Sequence, residues 1–392
     1  MFRYLTAGES HGPALVGILD GLPAQLALNV GEINAALRKR QGGYGRGARM
    51  QIEADEIEFL AGVRGSKTLG SPIAVVIHNR DFENNRALMD PLTGSGRPLT
   101  APRPGHADYA GALKYRHSDL RNVLERASAR ETAMRVALGA ICAQFLSAMG
   151  IETLSYVSSV ADVEASDQLQ PQRAAIDASS VRCPDPAATQ AMEAAIDRAR
   201  AAGDTLGGAY VVQIDGVPAG IGSNRQPDTR LDGILAGALM GMQTVKAVEV
   251  GAGRAISSRS GSKAHDTFAM RDSVVTRGSN RAGGIEGGIS NGEPIVLRAS
   301  VKPLATLQRP LQSVDLHHGT EAAATVVRSD VCVVPAASIV GEAMARLALT
   351  GPILEKYGGD SMEEVITNLK HSTRAAGELF RKRLHPQPRA GA

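Results

Sequence analysis

The sequence predicts an α+β fold rather than a doubly wound parallel sheet. Short apolar segments typical of β-strands come in groups, whereas a doubly wound sheet requires strand and helix to alternate strictly. The 392 residues show neither a repeat of fixed period nor a clear linker, and they suffice to bury a substantial core. This length allows one large domain or two, and we expect a flexible tail over residues 385–392.

The first two predicted strands cover residues 2–6 and 14–19, and a glycine-flanked loop connects them. This loop carries Ser10 and His11 at the strand ends, where site residues are common. A plain hairpin turn without any function explains the same pattern, so the loop alone does not establish a site.

We predict a helix that begins after Asn29 and ends at Gly42. Its last turn overlaps the start of a cationic tract at residues 38–49, RKRQGGYGRGAR. No acidic residue lies between Glu32 and Glu53, so the tract concentrates positive charge. Glycines let backbone amides approach a ligand closely, and arginine forks match the oxygens of phosphates and carboxylates. We favour a pocket for small anions over two alternatives, a solvated loop and an RNA-contacting tract.

Two further strands are predicted at 50–56 and 73–77, and residues 81–97 have the polar, aperiodic composition of a mobile excursion. The segment 103–108, RPGHAD, then reads as a turn that displays His106. Histidine titrates near neutral pH, which suits proton transfer or contact with a phosphate. A lone histidine is more often a surface residue, so His106 is a candidate site residue only in combination with the other segments.

The central helix is predicted from Ser128 to Gly150, with a capping box formed by Ser128 and Glu131. Its amino terminus points backbone N–H groups outward beside Arg126 and Arg130, as an anion requires. The alternative is a core helix with two solvated arginines. The remaining elements are predicted as strands at 151–160, 209–215, 245–250, 294–301 and 331–334, and as helices at 186–203, 229–242, 340–350 and 361–384.

Two later stretches could carry chemistry. Residues 283–292 are too rich in glycine for the interior of a regular element, yet they form neither a G-x-G-x-x-G fingerprint nor a Walker A loop. They lead through a strand to the segment 302–306. Arg328 and Asp330 stand at the start of the strand predicted at 331–334. Since they are two residues apart, they would share one face if the strand includes them, although such pairs are usually structural.

Composition narrows the function classes. A net charge of +3 and the absence of tryptophan argue against general nucleic-acid binding, which relies on cations and aromatic stacking. The three cysteines lack the paired spacing of disulfide frameworks or zinc sites, which favours a reducing cytoplasm and no metal. No signal peptide and no apolar run of the ~20 residues that cross a bilayer are evident, so no membrane partner is expected.

Taken together, the motifs resemble the chorismate synthase family. Seven segments occur in the family's order over nearly the whole chain: TAGESHG (6–12), RKRQGGYGRGARM (38–50), RPGHADYAG (103–111), RASARETAMRVALG (126–139), NRAGGIEGGISNG (280–292), KPLAT (302–306) and RSDVC (328–332). The resemblance implies a catalytic domain of helices layered between antiparallel β-sheets, assembled as a homotetramer. It also implies 1,4-elimination of phosphate and a ring proton from 5-enolpyruvylshikimate-3-phosphate, giving chorismate, with reduced FMN and no net redox change.

The same resemblance implies residue roles. His11 would be the acid at the leaving phosphate, His106 would stabilise the reduced flavin, and Asp330 would act through flavin N5. Substrate contacts fall on Ser10, Arg40, Arg46, Arg49, Arg103, Ser128, Ala129, Arg130 and Arg328. Cofactor contacts fall on Arg126, Ala127, Ser128, Gln243, Thr244, Gly287, Lys302, Pro303, Leu304, Ala305, Thr306 and Arg328. The chain departs from the commonest family pattern at Ser329, Val331 and Ala336.

Reduced flavin needs a source of electrons. Some family members use NADPH, for which Arg40 and Arg46 are the candidate contacts, and others depend on a separate flavin reductase. Two other functions stay open, an RNA-contacting protein that uses the Gly/Arg tract and an NADPH-dependent flavoprotein reductase. The first predicts salt-sensitive nucleic-acid binding, and the second requires a nucleotide fingerprint that the sequence does not show.

Overall fold

The computed structural model describes residues 1–47, 54–166, 170–271, 274–327 and 329–378. The strands are β1 (Arg3–Ala7), β2 (Ala14–Asp20), β3 (Glu58–Ala61), β4 (Val63–Arg64), β5 (Lys67–Thr68), β6 (Ile73–His78), β7 (Glu152–Val160), β8 (Val163–Glu164), β9 (Gly208–Asp215), β10 (Val245–Val250), β11 (Phe268–Arg271), β12 (Val274–Arg277), β13 (Ile285–Glu286), β14 (Ile289–Ser290), β15 (Ile295–Val301), β16 (Gln312–Asp315) and β17 (Thr320–Ala323). The helices are α1 (Val30–Gln41), α2 (Phe82–Met89), α3 (Asp108–Tyr115), α4 (Arg121–Ala127), α5 (Thr132–Ala148), α6 (Arg173–Ala178), α7 (Pro186–Ala202), α8 (Leu231–Met240), α9 (Gly261–Ala264), α10 (Val334–Tyr357) and α11 (Met362–Glu378).

Two antiparallel sheets form the outer layers. The first has the strand order β1-β2-β6-β3, and its hairpin register pairs Arg3 with Asp20. The second has the order β10-β15-β9-β7-β8, with every neighbouring pair antiparallel. The apolar side chains that alternate along β2 and β9 point inward from opposite sides, so the core lies between the sheets.

Helices α5 and α10 fill that space. Gly139 of α5 lies directly against Ala343 of α10, since a Cβ added at the glycine would come 2.6 Å from the alanine Cβ. Helix α5 also packs on β2, and α10 packs on β7 and β9. The structure confirms the α+β prediction and the layering of helices between antiparallel sheets that the resemblance implied.

Four predicted segments differ from the structure. The strand expected at 331–334 is absent, because Val334 begins the 24-residue helix α10, which also runs well beyond the predicted 340–350. A continuous buried apolar run has the same pattern in a strand and in a helix. The segment 81–97, expected to be mobile and irregular, contains α2. Residues 54–56, the described part of the strand predicted at 50–56, lie before β3 and outside any strand. The rest of the strand predicted at 50–56 lies outside the described residues.

The capping box predicted at Ser128 does not form, whereas one does form at Ser361. Ser361 forms one with Glu364, whose backbone N–H donates to the serine Oγ at 3.3 Å while its carboxylate accepts from the Ser361 N–H at 2.9 Å. Ser128 instead accepts from the N–H of Arg130, and Glu131 turns towards Arg135. A short 3₁₀ turn over Ala129–Glu131 therefore precedes α5.

One helix among the described residues, α10, is long and apolar enough to cross a membrane. Of its most apolar window, 72% is buried inside the protein, so α10 is a core helix. The helix expected to reach residue 384 is described as far as Glu378, and the predicted tail at 385–392 lies outside the described residues.

Candidate active site

A pocket of about 830 Å³ opens beside the amino-terminal end of α5. Segments far apart in the chain meet there: the β1–β2 loop, the end of α1, the 103–107 turn, residues 127–130 and the start of α10. The predicted site residues that line it are Ser10, His11, Arg40, Arg46, Arg103, His106, Ala127, Ser128, Ala129, Arg130, Gln243, Thr244, Lys302, Leu304, Ala305, Thr306 and Asp330.

Three of the predicted residues that the structure describes do not line this pocket. Arg126 donates to the carbonyl oxygens of Thr6 and Gly8, which ties α4 to the β1–β2 loop. Pro303 lies between lining residues, and Gly287 lies in the β13–β14 hairpin. Their contact with a cofactor stays a prediction, and Arg49 and Arg328 lie outside the described residues.

Positive charge dominates the pocket lining. Within the described part of the chain, six cationic side chains line it against the two carboxylates of Glu125 and Asp330. The cations are Arg40, Arg46, Arg103, Arg121, Arg130 and Lys302. Such an excess in a partly enclosed space suits ligands with several negative charges.

Arg40 and Arg130 both pair with the buried carboxylate of Asp55, at 4.0 and 2.6 Å. Arg130 donates to Asp55 at 2.6 Å and to Asn79 at 2.8 Å, while Arg40 donates to the Thr132 hydroxyl at 2.9 Å. Burial, followed by repulsion from Arg46 and Arg130, lowers the pKa of Arg40 to about 9. The Nη1 atom of Arg40 is buried without a hydrogen-bond partner and lies 4.0 Å from Oδ2 of Asp55, so this guanidinium has donor capacity that no hydrogen bond uses.

Arg46 and Asp330 pair at the pocket wall. Nη1 of Arg46 donates to Asp330 Oδ2 at 2.7 Å, and the backbone N–H of Gly47 donates to Oδ1 at 2.6 Å. The Gly/Arg tract is thereby attached to the segment before α10. Asp330 lies outside any strand, so the prediction that it shares a strand face with Arg328 is wrong at Asp330.

His11 is held by one buried carboxylate. Its Nδ1 lies 2.9 Å from Oε1 of Glu125, and its backbone N–H donates to Oε2 at 2.8 Å. Beside it, the hydroxyl of Ser128 donates to Ser10 Oγ at 3.1 Å. The loop is therefore an ordered part of the pocket lining, and the role of Ser10 and His11 in a site stays a prediction.

His106 belongs to a second network, centred on Asp108. The carboxylate of Asp108 accepts from Arg103 Nε at 2.8 Å and from His106 Nδ1 at 2.6 Å. Burial would raise the pKa of Asp108, but hydrogen bonds from His106 and Arg103 outweigh it and hold this pKa well below its usual range. Arg103 also donates to Thr306 at 2.8 Å, which joins the turn to the 302–306 segment.

Gln243, Thr244 and Lys302 also line the pocket. Gln243 donates to Glu131 at 2.6 Å, but its own Oε1 is buried without a partner. Thr244 adopts a φ of +72°, which is rare for a β-branched residue and costs of order 1–3 kcal/mol. Lys302 donates to the carbonyl of Gly105, and burial followed by repulsion from Lys246 lowers its pKa.

Sequence reasoning missed the acidic partners of the predicted cations and histidines. Asp55, Asp108 and Glu125 were not proposed as site residues, although Asp108 and Glu125 lie within or directly before quoted motifs. An acidic residue next to a motif is a weak signal until the fold brings the two together. Among the described residues, no group of three or more His, Cys, Asp or Glu side chains is placed to hold a metal ion.

Comparison with known proteins identifies a family. The chorismate synthase family model matches residues 2–354. The chain is 54% identical over 365 residues to a chorismate synthase of Moorella thermoacetica, covering 92% of this chain and 95% of the relative. It is 52% identical over 375 residues to that of Desulforudis audaxviator, covering 94% and 96%. A chorismate synthase crystal structure superposes with a TM-score of 0.79 at 39% identity, covering 96% of this chain and 99% of that one.

Proposed function

The chain belongs to the chorismate synthase family, and we propose that its cationic pocket binds reduced FMN and 5-enolpyruvylshikimate-3-phosphate together. Membership makes the chain a carbon–oxygen lyase of the shikimate pathway, which forms chorismate by 1,4-elimination of phosphate and a ring proton. Neither the RNA-contacting protein nor the NADPH-dependent reductase finds support in these comparisons. The observation that carries the proposal is the convergence of six cationic side chains, within the described residues, on one pocket.

The residues present fit two anionic ligands. The buried Nη1 of Arg40, which has no hydrogen-bond partner, offers a donor to a phosphate or carboxylate, and the unpartnered Oε1 of Gln243 offers an acceptor to a ring N–H. The volume of about 830 Å³ lies in the upper part of the range for small-molecule sites. Reduced FMN, when bound, supplies an electron-rich ring that removes the substrate's ring proton without net oxidation.

We assign the FMN contacts to the wall that includes Gln243 and Thr244. The others are Arg126, Ala127, Ser128, Gly287, Lys302, Pro303, Leu304, Ala305, Thr306 and Arg328. The substrate contacts are assigned to Ser10, Arg40, Arg46, Arg49, Arg103, Ser128, Ala129, Arg130 and Arg328. The two sets share Ser128, in the turn between α4 and α5, and Arg328. Apart from Arg126, Gly287 and Pro303, the described members of both sets line one space.

His11 is proposed as the acid for the leaving phosphate. As the carbon–oxygen bond breaks, the phosphate takes the bonding pair and accepts the proton from Nε2 of the imidazolium. The Nδ1 proton stays on the ring, hydrogen-bonded to Glu125. Proton donation to a leaving group by a positioned side chain contributes about 10²–10⁴-fold to a rate.

His106 and Asp330 are proposed to serve the flavin side. Because Nδ1 of His106 donates to Asp108, its Nε2 is the acceptor of the ring, and it lies 3.3 Å from Nη2 of Arg103. Asp330, fixed by Arg46 and the Gly47 N–H, is the carboxylate that we assign to the N5 edge of the flavin. Both side chains are held before any ligand arrives, which avoids reorganisation during the reaction.

The family suggests further properties, which we propose as well. The chain is expected to act in the cytoplasm as a homotetramer, with residues 1–384 as one catalytic domain. A single apolar cluster that extends from Leu15 to Val365 supports the one-domain assignment. Electrons reach FMN either from a separate flavin reductase or from NADPH, with Arg40 and Arg46 as the NADP contacts.

An anaerobic assay with photoreduced FMN and 5-enolpyruvylshikimate-3-phosphate tests the proposal. We expect chorismate and inorganic phosphate in equal amounts, with FMN still reduced at the end. The same mixture with oxidised FMN is the control and should form neither product. Absence of chorismate from the reduced mixture would overturn the proposed function.

A further inference from the structure

Glu125 is neither a proposed substrate contact nor a proposed catalytic residue, yet both of its carboxylate oxygens are directed at His11. Oε1 lies 2.9 Å from Nδ1, while Oε2 lies 3.1 Å from Nδ1 and accepts the His11 backbone N–H at 2.8 Å. We infer that Glu125 is a positioning residue for His11, fixing both the orientation of the imidazole and the location of its proton. The inference rests on the proposed role of His11 as the acid for the leaving phosphate.

The location of Glu125 makes this contact rigid. The carboxylate is 2% exposed and lies on α4, and the Glu125 backbone carbonyl accepts from the N–H of Ser10 at 3.0 Å. The loop that carries His11 is therefore attached to α4 through both the main chain and the side chain of one residue. A carboxylate buried this deeply requires hydrogen-bond donors, and His11 supplies two of them.

The contact determines which ring nitrogen can act. A carboxylate only accepts hydrogen bonds, so Nδ1 of His11 keeps its proton in both charge states of the ring. Nε2 is then the only ring nitrogen that can lose a proton to the departing phosphate oxygen. Within the described part of the chain, the ring also faces Asp81, from the loop before α2, whose Oδ2 is 3.9 Å from Nε2 and beyond hydrogen-bond range.

The variant Glu125→Gln tests the role, because it keeps the shape of the side chain and removes its charge. We expect kcat with reduced FMN to fall about 10- to 100-fold, the loss typical when a partner that orients a functional histidine is removed. KM for the substrate should change little. The control is Glu342→Gln, another buried carboxylate, which accepts from Thr153 and Ser155 and pairs with Arg346 away from the pocket, and it should leave kcat unchanged.

A double-mutant cycle separates positioning from a general structural role. If Glu125 acts through His11, adding Glu125→Gln to His11→Ala should lower kcat by no more than about twofold further. If the losses in kcat from the two single variants instead multiply in the double variant, the inference is overturned. If Glu125→Gln does not fold, Glu125→Asp keeps the charge but shortens the side chain, and it should show the same dependence on His11.

Nitrogen-15 NMR of the ligand-free wild-type protein gives a readout that does not depend on activity. At a pH where the His11 ring is neutral, we expect its proton on Nδ1, and a proton on Nε2 would overturn the inference. A wild-type protein that makes no chorismate contradicts the proposed function instead. A wild-type protein that turns over while Glu125→Gln matches it in kcat contradicts only the positioning role.

Discussion

Arg46 and Asp330, 284 positions apart in the chain, form an ion pair of 2.7 Å at the wall of the pocket. Side chains of both residues are largely buried, with exposed fractions of 11% and 18%. The pair joins the glycine-rich cationic tract to the segment that enters α10, so one contact couples a predicted substrate residue to a predicted catalytic residue.

Replacing Asp330 by asparagine tests its catalytic role. The amide keeps an acceptor for the Gly47 N–H but removes the negative charge beside Arg46. We expect kcat to fall about 100-fold, as for loss of a group active in proton transfer, while FMN binding is largely retained. Kinetics with photoreduced FMN and an FMN titration measure both. Asp215→Asn, at the end of β9 and bonded to Gln213, is the control and should behave as wild type.

The variant Arg46→Ala tests whether Arg46 binds an anionic group of the substrate. A hydrogen bond to a charged group contributes about 1.5–3 kcal/mol, which corresponds to a rise in substrate KM of about 10- to 100-fold. The control is Arg200→Ala, which removes an exposed arginine paired with Asp197 and should leave KM unchanged. An unchanged KM in Arg46→Ala would count against Arg46 as a substrate contact.

The Asp108 network predicts an acid-sensitive contribution to stability. Because the pKa of Asp108 is lowered in the folded protein, its stabilising effect is complete above its unfolded-state pKa near ~3.9 and is lost as the pH falls below that value. Asp108→Asn should therefore reduce the free energy of unfolding by about 3–5 kcal/mol at pH 7, since it breaks a buried ion pair. Urea titrations at pH 7 and pH 3 should show the difference from wild type narrowing in acid. A difference independent of pH would contradict the network.

Two helix glycines, Gly139 and Gly237, differ in how closely other parts of the protein approach them, so their alanine variants can be compared. At Gly139 an added Cβ would come 2.7 Å from the backbone of Ala343, whereas at Gly237 in α8 it would meet nothing within 4 Å. Gly139→Ala should destabilise the protein by about 1–3 kcal/mol through overpacking. Gly237→Ala should stabilise it by about 0.5–1 kcal/mol, because alanine is the better helix former. Denaturant titration of both variants measures the contrast, and equal effects would contradict the close approach of α5 and α10.

Local chemistry made several parts of the structure predictable. The segment 103–108 forms the expected turn, since Pro104 fixes one φ and Gly105 adopts a φ of +81°. Strand alternation and the cap at Asn29 likewise placed β1, β2 and α1 correctly. These features depend on residues adjacent in the chain, where periodicity and turn preferences operate.

Features that depend on long-range contacts were not predictable in the same way. The partners of Arg130, Asp55 and Asn79, lie 75 and 51 residues away, and nothing in their local sequence selects them. Helix α10 is buried on nearly all sides, so its apolar sequence lacks the one-sided stripe that marks a surface helix. The seven motifs identified the family, but only the fold shows that Glu125 holds His11 and that Asp108 holds His106.

A crystal structure with FMN and 5-enolpyruvylshikimate-3-phosphate tests the central claim most directly, namely that one cationic pocket holds both anions. We predict the substrate against Arg40, Arg46 and His11, with the flavin ring beside the wall of Gln243 and Thr244. Either ligand bound elsewhere, or both bound with the arginines directed away from their anionic groups, would contradict this account.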